Sequence, residues 1–188
     1  SSLRKQLLAQ RLNLVDDHRS RLDSQIIKRV ISHSLFKHAT KIAYYYPHLN
    51  EPNLLPLIDL ANTKSFYLPI LKKSSEGDSF LVFGRCKQDT QYEHNIYGIP
   101  EPHITADLIL EAEDLDLILL PLVGFDHTKK RLGMGGGFYD RTLNFKLKNP
   151  KSKPYLVGIA YECQKVENIP TENHDIPLDN IITESRLY

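Results

Sequence analysis

Leu115-Asp116-Leu117-Ile118-Leu119-Leu120-Pro121-Leu122-Val123-Gly124-Phe125-Asp126 is a nearly unbroken apolar run. Its length and composition are those of a strand buried on both faces, as in the middle of a parallel sheet. Outward from it, helical and extended patterns alternate. Residues 41–46 read as a strand ended by Pro47, residues 53–62 as a helix and residues 65–71 as a second strand, which together make a βαβ unit. Residues 80–85, 154–160 and 180–183 supply further strands, and residues 137–146 a helix. At the amino end Leu3, Leu7, Leu8 and Leu12 share one helical face. Beyond the polar break Asp16-Asp17-His18-Arg19, residues Ile26, Ile27, Val30, Ile31 and Leu35 continue the period in a second helix. Both helices are expected to cover the sheet. The alternation predicts an α/β protein, a three-layer α/β/α sandwich with a mainly parallel sheet and a single domain over residues 1–188.

Composition narrows the class of function. A chain of 188 residues that is 41% hydrophobic is long enough to bury roughly 70% of its unfolded surface. Lys plus Arg number 24 against 23 Asp plus Glu, a net charge of +1, which argues against nucleic acid or a membrane surface as a partner held by bulk electrostatics. Any anion site has to be local. Cys86 and Cys163 stand far apart without a Cys-x-x-Cys pair, against a zinc knuckle or a disulfide framework and in favour of a reducing, cytoplasmic setting. Ser1-Ser2-Leu3-Arg4-Lys5 does not read as a signal peptide, and its lack of methionine suggests processing or trimming.

Just after the apolar run comes Arg131-Leu132-Gly133-Met134-Gly135-Gly136-Gly137-Phe138-Tyr139-Asp140-Arg141, with four of the chain's nine glycines inside five residues. Without Cβ atoms, successive amides can turn inward and approach an anion closely, and a helix starting near Gly137 would add its positive end. Arg131 and Arg141 are placed to fork onto phosphate oxygens, and Asp140 to hold the magnesium that accompanies a triphosphate. The bland alternative is a flexible glycine turn. Neither a dinucleotide fingerprint, which Phe138 breaks, nor a Gly-Lys-Ser/Thr phosphate loop is present. In open α/β sheets ligands sit at the carboxyl ends of the strands, where this loop lies.

Pro121-Leu122-Val123-Gly124-Phe125-Asp126 followed by the glycine loop resembles the signature of the 5-formyltetrahydrofolate cyclo-ligases, also called methenyltetrahydrofolate synthetases. Tyr44-Tyr45-Tyr46-Pro47 with Glu51, then Leu68-Pro69, Gln164 and His174-Asp175, follow in the family's order, so the resemblance spans nearly the whole chain. It implies a fold similar to the sugar-phosphate isomerases and CoA-transferases (NagB/RpiA/CoA-transferase-like). It also implies an ATP- and magnesium-dependent ligase that cyclises 5-formyltetrahydrofolate, acting as a monomer or weak homo-oligomer.

The resemblance further implies who binds what. ATP would be held by Arg4 and the run Arg131, Leu132, Gly133, Met134, Gly135, Gly136, Gly137, Phe138 and Tyr139. The folate would meet Arg4, Tyr46, Glu51, Met134, Gly136, Phe138 and Gln164. Magnesium would sit on Asp140 and Asp175, and Arg131 with Asp140 would carry the chemistry. On their own these residues leave alternatives open. Glu51 reads as a pterin acceptor or a helix cap before Asn53, Tyr46 as ligand contact or core, Gln164 as donor or solvated loop amide, and Asp175 as a turn aspartate. His174 reads as a surface-loop histidine. The family's lysine four positions before Arg4 would fall ahead of Ser1, and Lys5, about 100° round the helix, is no substitute. A sugar-phosphate isomerase or CoA-transferase-like enzyme would not need ATP, and a non-catalytic binding module would not turn over.

Overall fold

The structure is a computed structural model that describes residues 2–188. Three helices open the chain, α1 (Ser2–Leu12), α2 (Asp16–Ser32) and α3 (Ser34–His38). Then come β1 (Lys41–Ala43), α4 (Leu57–Leu60), β2 (Ser65–Lys73), β3 (Ser79–Cys86), β4 (Tyr92–His94), β5 (Pro100–Pro102) and β6 (Ile109–Leu110). The second half holds β7 (Leu117–Pro121), β8 (Gly124–Phe125), β9 (Arg131–Leu132), α5 (Phe138–Thr142), β10 (Tyr155–Ile159) and β11 (Asn180–Ile182). A seven-stranded sheet runs in the order β11-β10-β7-β1-β2-β3-β6. Its pairings from β11 to β2 are parallel and the two at the β3 end antiparallel. It is therefore a mixed, mostly parallel α/β sheet, as expected, with an antiparallel edge.

The central run behaves as its composition dictates. Leu117, Ile118, Leu119 and Leu120 are all buried, alternating between two cores. Leu117 and Leu119 join Ile42, Phe66, Val157 and Ile159 beneath Ile26, Val30 and Leu57 of the helices. Ile118 and Leu120 point the other way, with Ala43, Phe83, Leu156 and Ile181, and are covered by Leu143, Ile176 and Leu178. The second cover is mostly irregular chain, because the helix expected over 137–146 is only the single turn α5 followed by a 3-10 turn at Asn144–Leu147.

Two expectations need correcting. The β1 strand is three residues long and α4 only four, since Pro47, Pro52 and Pro56 break the region between them. Nor does α1 cover the sheet. Leu7 reaches Gly124, where a Cβ would lie 2.5 Å from Leu7 Cδ1, and the helix packs on the turn at Glu162–Gln164 beyond β10. It thus crosses the carboxyl edge of the sheet. There the chain steps from β1 outward to β2, then returns to β7 on the other side of β1, which makes the β1/β7 boundary the topological switch point where α/β sheets open a crevice.

Candidate active site

The loops after β1 and β7 border that crevice, and the glycine loop follows the β8–β9 hairpin. Asp126 shapes the hairpin. Its Oδ1 accepts from Thr128 N (2.9 Å) and Thr128 Oγ1 (2.6 Å), and its Oδ2 from Ile169 N (2.9 Å). Burial pushes its carboxyl up, but these donors outweigh burial and hold it below the usual range. Glycine is required in the loop itself at Gly135 (φ +101°) and Gly137 (φ +69°), left-handed positions that a residue with a Cβ rarely adopts. Gly136 is not of that kind; a Cβ there would meet the Phe138 ring at 2.8 Å.

Around this loop three arginines converge. Arg4 Nε donates to Gly133 O at 2.7 Å, and its guanidinium lies against Gly135. Arg131 pairs with Asp140, Nη2 to Oδ1, at 2.6 Å with both side chains largely sheltered, while Arg131 Nε is buried without an acceptor. Arg141 clamps the loop instead, donating to Ser79 O and Gly136 O at 2.6 Å each beneath the Phe138 ring. Leu132 pairs with Gly124 in the hairpin, Met134 is half exposed, and Tyr97 from the β4–β5 hairpin meets Phe138 with ring centroids 5.8 Å apart. A cavity of about 270 Å3 lies between Gly137, Asp140, Arg141, Asn144 and His174.

The residues expected to hold metal and folate are placed as follows. Asp140 Oδ1 also accepts from Ile176 N (3.2 Å), which brings the 172–176 loop alongside. Within that loop Asp175 Oδ2 accepts from Glu172 N (2.8 Å), so it makes the turn that its sequence suggests. His174 is the exposed loop residue its sequence suggests, and it also borders the cavity beside Asp140. Glu51 is buried, and its Oε1 accepts from His48 N (2.9 Å); it closes its own loop and caps no helix, α4 starting only at Leu57. Burial pushes its carboxyl up to about 7, against the opposing pull of Arg11 and the His48 amide. Tyr139 packs partly buried against the second core, and its phenol, raised chiefly by burial and further by the charge of Glu51, is pulled the other way by Arg131.

Tyr46 lies on the rim of a larger cavity of about 660 Å3, shared with Tyr44, Tyr92, Lys87 and His94. Gln164 is no solvated loop amide. It is 1% exposed, with Nε2 donating to Leu122 O (2.8 Å) and Val123 O (3.1 Å) and Oε1 accepting from Tyr161 N (2.8 Å). Both amide hydrogens are thereby spent on the chain after β7, so Gln164 acts on the crevice by fixing its wall. Arg11, unnoticed in the sequence, is buried and bonded to Leu49 O and Leu122 O. Its only signal was its place on the Arg4-Leu7 face of α1. Among the described residues no three His, Cys, Asp or Glu side chains gather into a metal cluster, and no helix is long and apolar enough to cross a membrane.

A crevice at the switch point, lined by a glycine loop, arginines and a buried carboxylate, suits an anionic ligand beside a polar heterocycle. Comparison with known proteins identifies the family. The family model for the 5-formyltetrahydrofolate cyclo-ligase family matches residues 1–184. The 5-formyltetrahydrofolate cyclo-ligase of Haemophilus influenzae is 36% identical, over 96% of this chain and 95% of its own, and that of Escherichia coli K12 is 34% identical, over 93% and 94%. The NMR structure of 5,10-methenyltetrahydrofolate synthetase from Aquifex aeolicus superposes with a TM-score of 0.81 at 34% identity, covering 99% of this chain and 90% of that one. The Mycoplasma pneumoniae synthetase gives 0.72 at 29%, covering 97% of each. With both sequence and fold matched along nearly their whole length, the chain belongs to the 5-formyltetrahydrofolate cyclo-ligase family of ligases.

Proposed function

We propose that this chain converts 5-formyltetrahydrofolate and ATP into 5,10-methenyltetrahydrofolate, ADP and phosphate in a magnesium-dependent reaction carried by its single domain. The observation that supports this most directly is Arg131, which is ion-paired to Asp140 and keeps a buried Nε without an acceptor. A buried unsatisfied donor is costly, and a phosphate oxygen would satisfy it.

The formyl carbon of the substrate is an amide carbon whose oxygen is a poor leaving group. Attack of that oxygen on the γ-phosphate releases ADP and leaves an imino-phosphate. N10 then adds to the carbon and gives up its proton to solvent, the C–O bond breaks with phosphate departing, and the five-membered ring is closed as the methenyl cation. The protein's part is alignment and charge neutralisation. Arg4, the run from Arg131 to Tyr139 and the left-handed glycines would cradle the phosphates. Arg131 would shift from its carboxylate partner onto the transferring group.

Asp140 and Asp175 fit magnesium as oxygen donors, with phosphate oxygens and water completing the shell. Both observed bonds to Asp140 use Oδ1, so Oδ2 is the oxygen on offer. When bound, the metal supplies countercharge to the phosphates. Ionised Glu51 would accept from the amino and ring N–H groups of the pterin, with Tyr46, Met134, Gly136 and Phe138 packing beside it and Gln164 bracing the wall.

The test is the absorbance of methenyltetrahydrofolate, followed with and without magnesium and ATP. Formation only with both present is expected. Turnover without nucleotide would overturn the proposal in favour of isomerase- or transferase-type chemistry, and ligand binding without turnover would leave a non-catalytic module.

A further inference from the structure

We infer that Arg11 is a positioning residue for the folate end of this site, tying the loop after β1 to the end of β7 and presenting its positive charge to Glu51. The inference rests on the reading that Glu51 receives the folate. Arg11 is 1% exposed, as deeply buried as the aliphatic core. A guanidinium is tolerated there only when its donors and its charge are both answered. Nε donates to Leu49 O at 2.9 Å and Nη1 to Leu122 O at 3.1 Å, so one side chain spans the two loops that border the switch point. The loop it holds is strained. Leu49 (φ 50°) and Asn50 (φ 62°) are both left-handed, a conformation that persists only where the surroundings impose it. The same stretch of α1 supplies the second restraint, because Asn50 Nδ2 donates to Arg11 O (3.2 Å) and Leu12 O (3.3 Å), while Arg19 Nη1 reaches Asn50 Oδ1 (2.8 Å). Glu51 is the next residue.

The groups that face Glu51 come from every side. Arg11 approaches from α1, Tyr45 from the segment after β1 and Tyr139 from α5, and His48 N bonds the carboxylate directly. Tyr45 donates its hydroxyl to Pro52 O at 2.7 Å, and burial keeps both phenols neutral. Arg11 is the cation of this set. Lysine would preserve the charge but not the planar fork that reaches two carbonyls at once.

Arg11→Met, Arg11→Lys, Glu51→Gln and the double variant Arg11→Met/Glu51→Gln decide the matter, with KM for 5-formyltetrahydrofolate and for ATP measured from mildly acidic to mildly alkaline pH. For Arg11→Met the folate KM should rise about tenfold or more, and the ATP KM should change less than about twofold. Losing the cation makes Glu51 harder to ionise, so the pH below which folate binding weakens should move upward. In the Glu51→Gln background the same change should add little, because contacting groups do not act additively. Arg11→Lys should raise the folate KM without moving that pH.

Parallel rises in both KM values, or an undiminished effect of Arg11→Met in the Glu51→Gln background, would show a role in stability alone and overturn the inference. Should Arg11→Met melt below the assay temperature, Arg11→Lys carries the decision: an unchanged folate KM refutes. Failure of the underlying reading looks different, since Glu51→Gln alone would then leave the folate KM untouched and Arg11 would have nothing to position.

Discussion

Replacing Glu51 by Gln should make the ligand-free protein more stable above neutral pH while weakening its grip on the folate. The carboxyl is pushed from its ordinary 4.5 to about 7, chiefly by burial, with Arg11 and the His48 amide pulling the other way. Between those values the folded protein holds a proton that the unfolded chain has released. Its stabilising contribution is therefore full below about pH 4.5, declines as pH rises and is lost above about 7. The interval from 4.5 to about 7, at about 1.4 kcal/mol per pH unit, comes to about 3 kcal/mol. Gln keeps a carbonyl oxygen for His48 N but buries an amide NH2, which reduces the net gain to about 1–3 kcal/mol.

Urea unfolding near pH 5 and near pH 8 reads this directly. The two proteins should be about equally stable at the lower pH, with the variant ahead by that margin at the higher. Calorimetric titration with 5-formyltetrahydrofolate should show a loss of about 1–3 kcal/mol with ATP binding retained, as expected when a charge-assisted bond goes. Wild-type folate binding should weaken as pH falls through about 7. A stability difference that is the same at both pH values would refute the argument, since the buried carboxylate would then not be the titrating group.

The remaining predictions address the phosphate side and the wall. Asp140→Asn should cost about 1–3 kcal/mol in thermal unfolding by unpairing sheltered Arg131, and should remove most turnover and the magnesium dependence of nucleotide binding. Gly137→Val, forcing a β-branched residue into a left-handed φ, should cost about 1–3 kcal/mol. It should also abolish the stabilisation of roughly 2.7 kcal/mol that nucleotide at about one hundred times its Kd gives a competent protein; an unchanged melting shift would exclude the glycine loop as the phosphate site. Gln164→Leu strands the carbonyls of Leu122 and Val123, so denaturant titration should show a loss of about 1–3 kcal/mol, with both ligands weakened alike.

What the sequence discloses about this fold and site follows from how local each constraint is. The run 115–126 is readable because a strand buried on both faces calls for an apolar composition, and the glycine loop because left-handed turns favour glycine, the left-handed Leu49 and Asn50 being the kind of exception that leaves no such mark. The direction of β3 is a harder case, since Phe80-Leu81-Val82-Phe83 is equally apolar in a parallel or an antiparallel strand. Only the five residues between Lys73 and Ser79 betray it, too few for a parallel crossover. In α1 the leucine count points to Leu3, Leu7, Leu8 and Leu12. The buried face is instead centred on Leu7 and Arg11, and Leu12 is 49% exposed. Hydrophobic periodicity undercounts arginines, whose aliphatic stems pack like leucine once carbonyls answer the head group. Glu51 and Gln164 mark the limit of such reading. Each is an ordinary loop residue until the tertiary structure closes over it, Gln164 beneath α1 and against the chain after β7 and Glu51 in the loop that Arg11 holds, where burial raises its carboxyl to about 7. A property created by that closure has no local signature, and it is the property on which the chemistry proposed for the folate end depends.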